Sequence, residues 1–160
     1  MVIFMTAIFL VKALAEAMRQ VVKDFELIAE LQPMKPVTVY EQYLPTENFN
    51  VDTFYPLLIV SCNGIEYEGG DRVAVMQISV GVFGGYEDDG WRDLFNISER
   101  IMDFLYVTPI LAGRYPMHAY PVFEPEVEQP RPFFYGYITL KYDLAAPRIG
   151  VDDLVTQTAW

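Results

Sequence analysis

Few side chains in this chain have the chemistry for catalysis, and their spacing does not build a catalytic set. His118 is the only histidine, so any triad would have to use it, and no serine nucleophile motif surrounds it. It reads as a structural histidine, hydrogen-bonded or at the surface. One His and one Cys do not make a zinc set. Cys62 ends the apolar run LLIVSC and reads as a buried, inert thiol; as a lone cysteine it excludes an internal disulfide. Glu87, Asp88 and Asp89 stand among Gly84, Gly85 and Gly90. Three successive acids lack the alternate-position spacing of a calcium loop. The run GVFGGYEDDG has neither a GxGxxG nor a Walker pattern, and its charge would repel phosphate. The plainer reading is a solvated turn in which Asp88 or Asp89 opposes the positive end of the following helix. A carboxylate pair for glycoside chemistry has only the abundance of Asp and Glu in its favour. The expectation is therefore no catalytic residue, no cofactor and no metal ligand. The small-molecule alternative, a binding module or enzyme, would use an aromatic cleft lined by Tyr86, Tyr120, Tyr135 and Tyr137.

The elements that must position these residues are readable from periodicity. At 160 residues the chain reads as one α+β domain over 1–146 with a tail over 147–160, large enough to bury roughly 70% of its unfolded surface. Apolar residues make up 52% and aromatics 15%, with eleven Tyr and eleven Phe, a composition suited to strands. A formal charge of -11 and scattered Lys and Arg disfavour duplex binding through phosphate neutralisation. The opening run MVIFMTAIFLV has no preceding basic region and is interrupted at Lys12. It is also shorter than the roughly 20 residues of a membrane span, so neither a signal peptide nor an anchor is expected. From Thr6, a possible cap, to Ile28 apolar residues keep a three-four spacing opposite Lys12, Glu16, Arg19, Lys23 and Glu26. This predicts one long amphipathic helix, ended by Pro33 and Pro36.

The centre of the chain is Arg72–Tyr106, a strand, an acidic turn and a helix. Ala74, Met76, Ile78, Val80 and Val82 make one apolar strand face, and Val73, Val75, Gln77, Ser79, Gly81 and Phe83 a mixed one. After Gly90, Leu94, Ile97, Ile101, Phe104 and Leu105 form one helical stripe that should pack on the sheet. Val37–Tyr43 and Leu57–Cys62 predict strands. Either Asn63-Gly64 or the YEGG segment supplies the turn into the long strand. YPMHAYPVF carries Pro116 and Pro121, so a strand there belongs at an edge or is broken. Phe123–Pro132, with Glu124, Glu126 and Glu128, reads as a loop or projecting arm, and Phe134–Leu144 as the closing strand. The expected fold is thus a mixed or antiparallel sheet with a long N-terminal helix and a second helix packed on one face.

This order of elements, with YPLLIV, GVFGGYEDDGWRDLFNISERIMDFL and FYGYITLKYDL, resembles the tail terminator or minor tail proteins of long-tailed bacteriophages and prophages. The best of the motifs is Gly90-Trp91-Arg92-Asp93-Leu94 with Glu99-Arg100-Ile101, and the likeness spans roughly residues 5–145. It implies a non-enzymatic virion protein of the tail or neck, assembled in the host cytoplasm. Such a subunit forms a ring, taken as a hexamer, that caps the tail tube, ends its polymerisation and docks the head connector or a head-completion protein. DNA passes through the lumen without specific binding, and no membrane is involved. A head-tail connector or other neck protein is the near alternative. In this reading Tyr86, Glu87, Asp88, Asp89 and Trp91, and the loop carrying Glu124, Glu126 and Glu128, face neighbouring subunits or the lumen, and the tail ending in Trp160 docks on a partner.

Overall fold

A computed structural model describes residues 6–27, 35–45, 55–84 and 90–145. Helix α1 (Ala7–Val22) starts where Thr6 accepts a hydrogen bond from the Phe9 amide, the cap its sequence suggested. It buries Leu10, Leu14, Ala15, Met18 and Val22. The predicted continuation to Ile28 does not occur. The chain turns after Val22, with the Phe25 amide donating to the Val22 carbonyl at 2.9 Å. The Phe25 ring then lies 4.7 Å from the Arg100 guanidinium, a cation–π contact with a residue far along the chain. Short strands β1 (Glu26–Leu27) and β2 (Lys35–Pro36) pair with each other.

The main sheet holds β3 (Thr38–Glu41), β4 (Leu57–Glu68), β5 (Asp71–Phe83), β6 (Ile110–Leu111), β7 (Tyr115–Pro125) and β8 (Phe133–Leu144), with α2 (Gly90–Val107) between β5 and β6. Its order is β3-β4-β5-β8-β7-β6. Only β3 and β4 run parallel; the other pairs are antiparallel. The fold is α+β, with both helices on one face of a mixed sheet. α1 lies against β3 and β4, and α2 against β5, β7 and β8.

Strand alternation decides which residues the helices cover. Met76, Ile78, Val80 and Val82 of β5, Ile138, Leu140 and Tyr142 of β8, and Leu58 and Val60 of β4 join the buried faces of α1 and α2 in one core. Leu94, Ile97, Ile101 and Leu105 of α2 are fully buried, as their spacing predicted, each worth about 1.5–3 kcal/mol of transfer free energy. The turn into β5 is Gly69-Gly70, at φ 57 and 88, the left-handed pair a tight hairpin of this twist requires. Asn63-Gly64 is instead a register shift within β4, so the YEGG alternative is the turn.

At the start of α2 the backbone of Gly90 lies against Gly84 beneath the Phe134 ring. A β-carbon at Gly90 would come 2.6 Å from the Gly84 Cα and strike that ring. Deeper in the core, the Tyr142 side chain is fully buried, its hydroxyl has no hydrogen-bond partner among the described residues, and burial pushes its pKa well up. Two substitutions should therefore move stability in opposite directions. Gly90→Ala, although alanine is the better helix former, should cost about 1–3 kcal/mol through overpacking. Tyr142→Phe should gain about 1 kcal/mol by deleting an unpaired buried hydroxyl. Urea unfolding midpoints at constant m-value check both; stabilisation by Gly90→Ala would refute the close packing.

Candidate functional site

The face of the sheet turned away from α1 and α2 changes character along its length. At one end Tyr55, Leu57 and Phe83 are buried under Tyr40, Leu44, Ile59, Phe133 and Tyr135. The Tyr55 ring stands 4.4 Å from Phe133 and meets Tyr135 edge-on at 5.7 Å. In the middle runs a chain of uncharged polar groups. Ser61 Oγ donates to Asn63 Oδ1 at 3.1 Å, Asn63 Nδ2 to Gln77 Oε1 at 3.0 Å, and Gln77 Nε2 to Ser79 Oγ at 3.0 Å.

The far end is ionic. His118 Nδ1 lies 2.7 Å from Asp143 Oδ1, and its Nε2 lies 2.7 Å from Glu68 Oε2. Lys141 Nζ donates to Glu66 Oε1 at 2.8 Å and to Glu68 Oε1 at 2.7 Å. Asp71 adds a carboxylate, so that one ligand atom each from Asp71, His118 and Asp143 lies within 4.8 Å of the others. Asp143, then Glu68, holds the His118 pKa above its usual value. Lys141 draws the Glu68 carboxyl down to about 2, helped by Glu66 and His118. The Lys141 ammonium is in turn raised to about 12 by Glu66 and Glu68.

Local backbone irregularity puts His118 there. Met117 pairs with Tyr142 and Ala119 with Lys141, so His118 is an extra residue in β7, and a second shift follows between Ala119 and Val122. Such a bulge re-aims a side chain, and here it turns His118 onto the open face. His118 is hydrogen-bonded, and the carboxylates around it come from three other segments. A search for Cys and His ligands passes over them, and only the register of β5, β8 and β7 brings them together.

The other expected site residues divide. Tyr86, Glu87, Asp88, Asp89 and Trp160 lie outside the described residues. Trp91 is half-exposed at the start of α2, edge-on to Phe95 at 5.8 Å, and Phe95 meets Phe123 at 5.2 Å. That chain of rings links α2 to the end of β7, where Glu124 is exposed. The loop after β7 is pinned at its base. Gln129 Nε2 donates to the carbonyls of Glu126 and Tyr135 at 2.8 and 2.9 Å, and its Oε1 accepts from the Tyr135 amide at 2.6 Å. Glu128 is exposed at its tip; Glu126 is half-buried and helps burial raise the Tyr137 pKa.

Among the described residues the aromatic cleft does not form. Tyr120 packs toward α2, 6.2 Å from the Tyr106 ring, whereas Tyr135 and Tyr137 belong to the opposite face of the sheet, because odd positions of β8 point away from the helices. Cys62 is half-buried rather than fully buried. Its thiol donates to the Gly64 carbonyl at 3.4 Å, beside a groove of about 310 Å³ lined by Ala7, Ile8, Val11, Lys12, Glu41 and Gln42.

No protein-family model matches the chain, and no curated protein matches it in sequence.

The ionic end of the face makes stability depend on acid. A carboxyl held at about 2 when folded, against an ordinary 4.5, contributes stability that is fully present above the ordinary value and is lost as pH falls through the folded one. Lys141→Met should raise the Glu68 pKa toward 4.5 and flatten the acid-side loss of stability between these values. Carboxyl-carbon NMR titration and melting curves over that range check this; an unmoved Glu68 would show that Lys141 is not its main partner.

Proposed function

We propose that this chain is a structural subunit that assembles edge to edge into a ring, in the manner of a phage tail terminator capping a tail tube, and performs no catalysis. The observation that carries assembly is the outer edge of the sheet. β6 covers only Tyr115 and Pro116 of β7, and beyond them β7 has no outer partner strand among the described residues. Beside this edge stand Tyr106, Val107, Ile110, Tyr120 and Val122, each more than half exposed. Met102, Asp103, Tyr106, Tyr120 and Pro121 line an adjoining groove of about 500 Å³. An unpaired edge next to clustered apolar side chains is a hazard for a free monomer and an asset for a subunit whose neighbour covers it.

The order of elements and the Gly90-Trp91-Arg92-Asp93-Leu94 helix start support the terminator over other ring proteins. Six copies, a tube-facing side, a side for the head connector and a lumen that DNA crosses without specific contact complete that reading. The net charge of -11 agrees with such a lumen, since like charge suppresses phosphate contact. A head-tail connector is the neighbouring alternative, separated by whether the ring seats on tube ends or on the head vertex.

Sedimentation over a concentration series with negative-stain images should show closed rings with a central hole, alone or on added tube ends. Tyr106→Glu with Tyr120→Glu should leave the circular dichroism unchanged and abolish the rings. Monomers at every concentration, with or without tubes, would overturn the proposal.

A further inference from the structure

Independently of the assembly reading, we propose that Asp71, His118 and Asp143 form a binding site for a divalent first-row transition-metal ion that ties the start of β5 to β7 and β8. The argument begins with a count of donors. A neutral imidazole has one N–H and so can serve one carboxylate, yet both His118 nitrogens lie 2.7 Å from carboxylate oxygens. A second positive centre, either a second ring proton or a metal ion, therefore stands at one of them. Glu68 is held in place by Lys141, which leaves Nε2–H as its donor and puts the demand on Nδ1.

Nδ1 faces Asp143 directly, and one ligand atom each from Asp71, His118 and Asp143 lies within 4.8 Å of the others. A proton bridges two atoms; three convergent donors are what a metal ion uses. A metal about 2.1 Å from each donor would hold the three roughly 3–3.4 Å apart, opening the 2.7 Å contact of Nδ1 with Asp143 and drawing in Asp71, which is exposed and can turn its side chain. Charge points the same way, since Glu66, Glu68, Asp71 and Asp143 face one ammonium, that of Lys141. Glu68 accepting from the second ring nitrogen is the carboxylate–histidine–metal arrangement that fixes a ligating tautomer. One imidazole with two carboxylates favours Zn²⁺, Co²⁺ or Ni²⁺ over Mg²⁺ or Ca²⁺. The ion would staple three adjacent strands, including the exposed edge strand.

The test uses the untagged full-length chain carrying Cys62→Ser, which removes the only thiol. Calorimetric titration with Zn²⁺ should give one ion per chain, and Mg²⁺ at the same concentrations none. Co²⁺ should develop a visible d–d band, and the melting temperature should climb with Zn²⁺ concentration. Asp71→Asn should weaken Zn²⁺ binding on the order of tenfold or more and leave the metal-free melting temperature unchanged. His118→Gln should abolish the Co²⁺ band; if it fails to fold, Asp71→Asn decides alone. Glu124→Gln should bind as the parent does. Absence of stoichiometric Zn²⁺ binding, equal binding of Mg²⁺, or undiminished binding by Asp71→Asn would each overturn the site. None of these results depends on whether rings form.

Discussion

The long antiparallel pairing of β5 with β8 is the constraint from which the rest follows. Because strand side chains alternate, one register assigns Met76, Ile78, Val80, Ile138, Leu140 and Tyr142 to the helices and Gln77, Ser79, Tyr137, Thr139 and Lys141 to the other side. A slip by one residue would exchange these sets, burying an amide and an ammonium while exposing the core. The hydrophobic cost of that exchange is what holds the register. The same register sets Val73 opposite Asp143 and Val75 opposite Lys141, which fixes where the charged end of the open face can be.

What the sequence made legible divides along the same physical line. Period-2 and period-3.6 patterns are local, and they gave both faces of β5 and β8, the stripe of α2 and the Thr6 cap. Pro116 and Pro121 marked β7 as an irregular edge strand for a local reason, the missing amide hydrogens. The end of α1 was not legible, since the Phe25 ring meets Arg100, a residue far away in sequence that no local pattern announces. Nor was the parallel pairing of β3 with β4, which no local pattern distinguishes from an antiparallel one. The His118 network was invisible for the strongest reason. Its members come from four strands, and a histidine on a bulge carries no periodic signature of which face it meets.

The two sides of the sheet carry different loads. The helix-covered side supplies stability through close packing of large aliphatic residues. The open side moves from an aromatic cluster at Tyr55, through an amide and hydroxyl chain at Gln77, to the charges around His118. The outer edge of β7 beyond Pro116 borders both the charged end and the exposed Tyr106 and Tyr120. An assembly that covers this edge would rigidify the strand from which His118 projects, so edge contact and ionic network act on one element.

The irregular register of β7 also bears on how such a network arises. Against β8, β7 holds surplus residues at His118 and between Ala119 and Val122. In a regular strand successive side chains alternate between the two faces, so without the surplus residues the side chains from His118 to Val122 would be divided differently between them. The network therefore depends on the length of chain in β7 as well as on the identity of its side chains. A chain lacking the surplus residues would lose the histidine pairing and the placement of Tyr120 beside Tyr106 together.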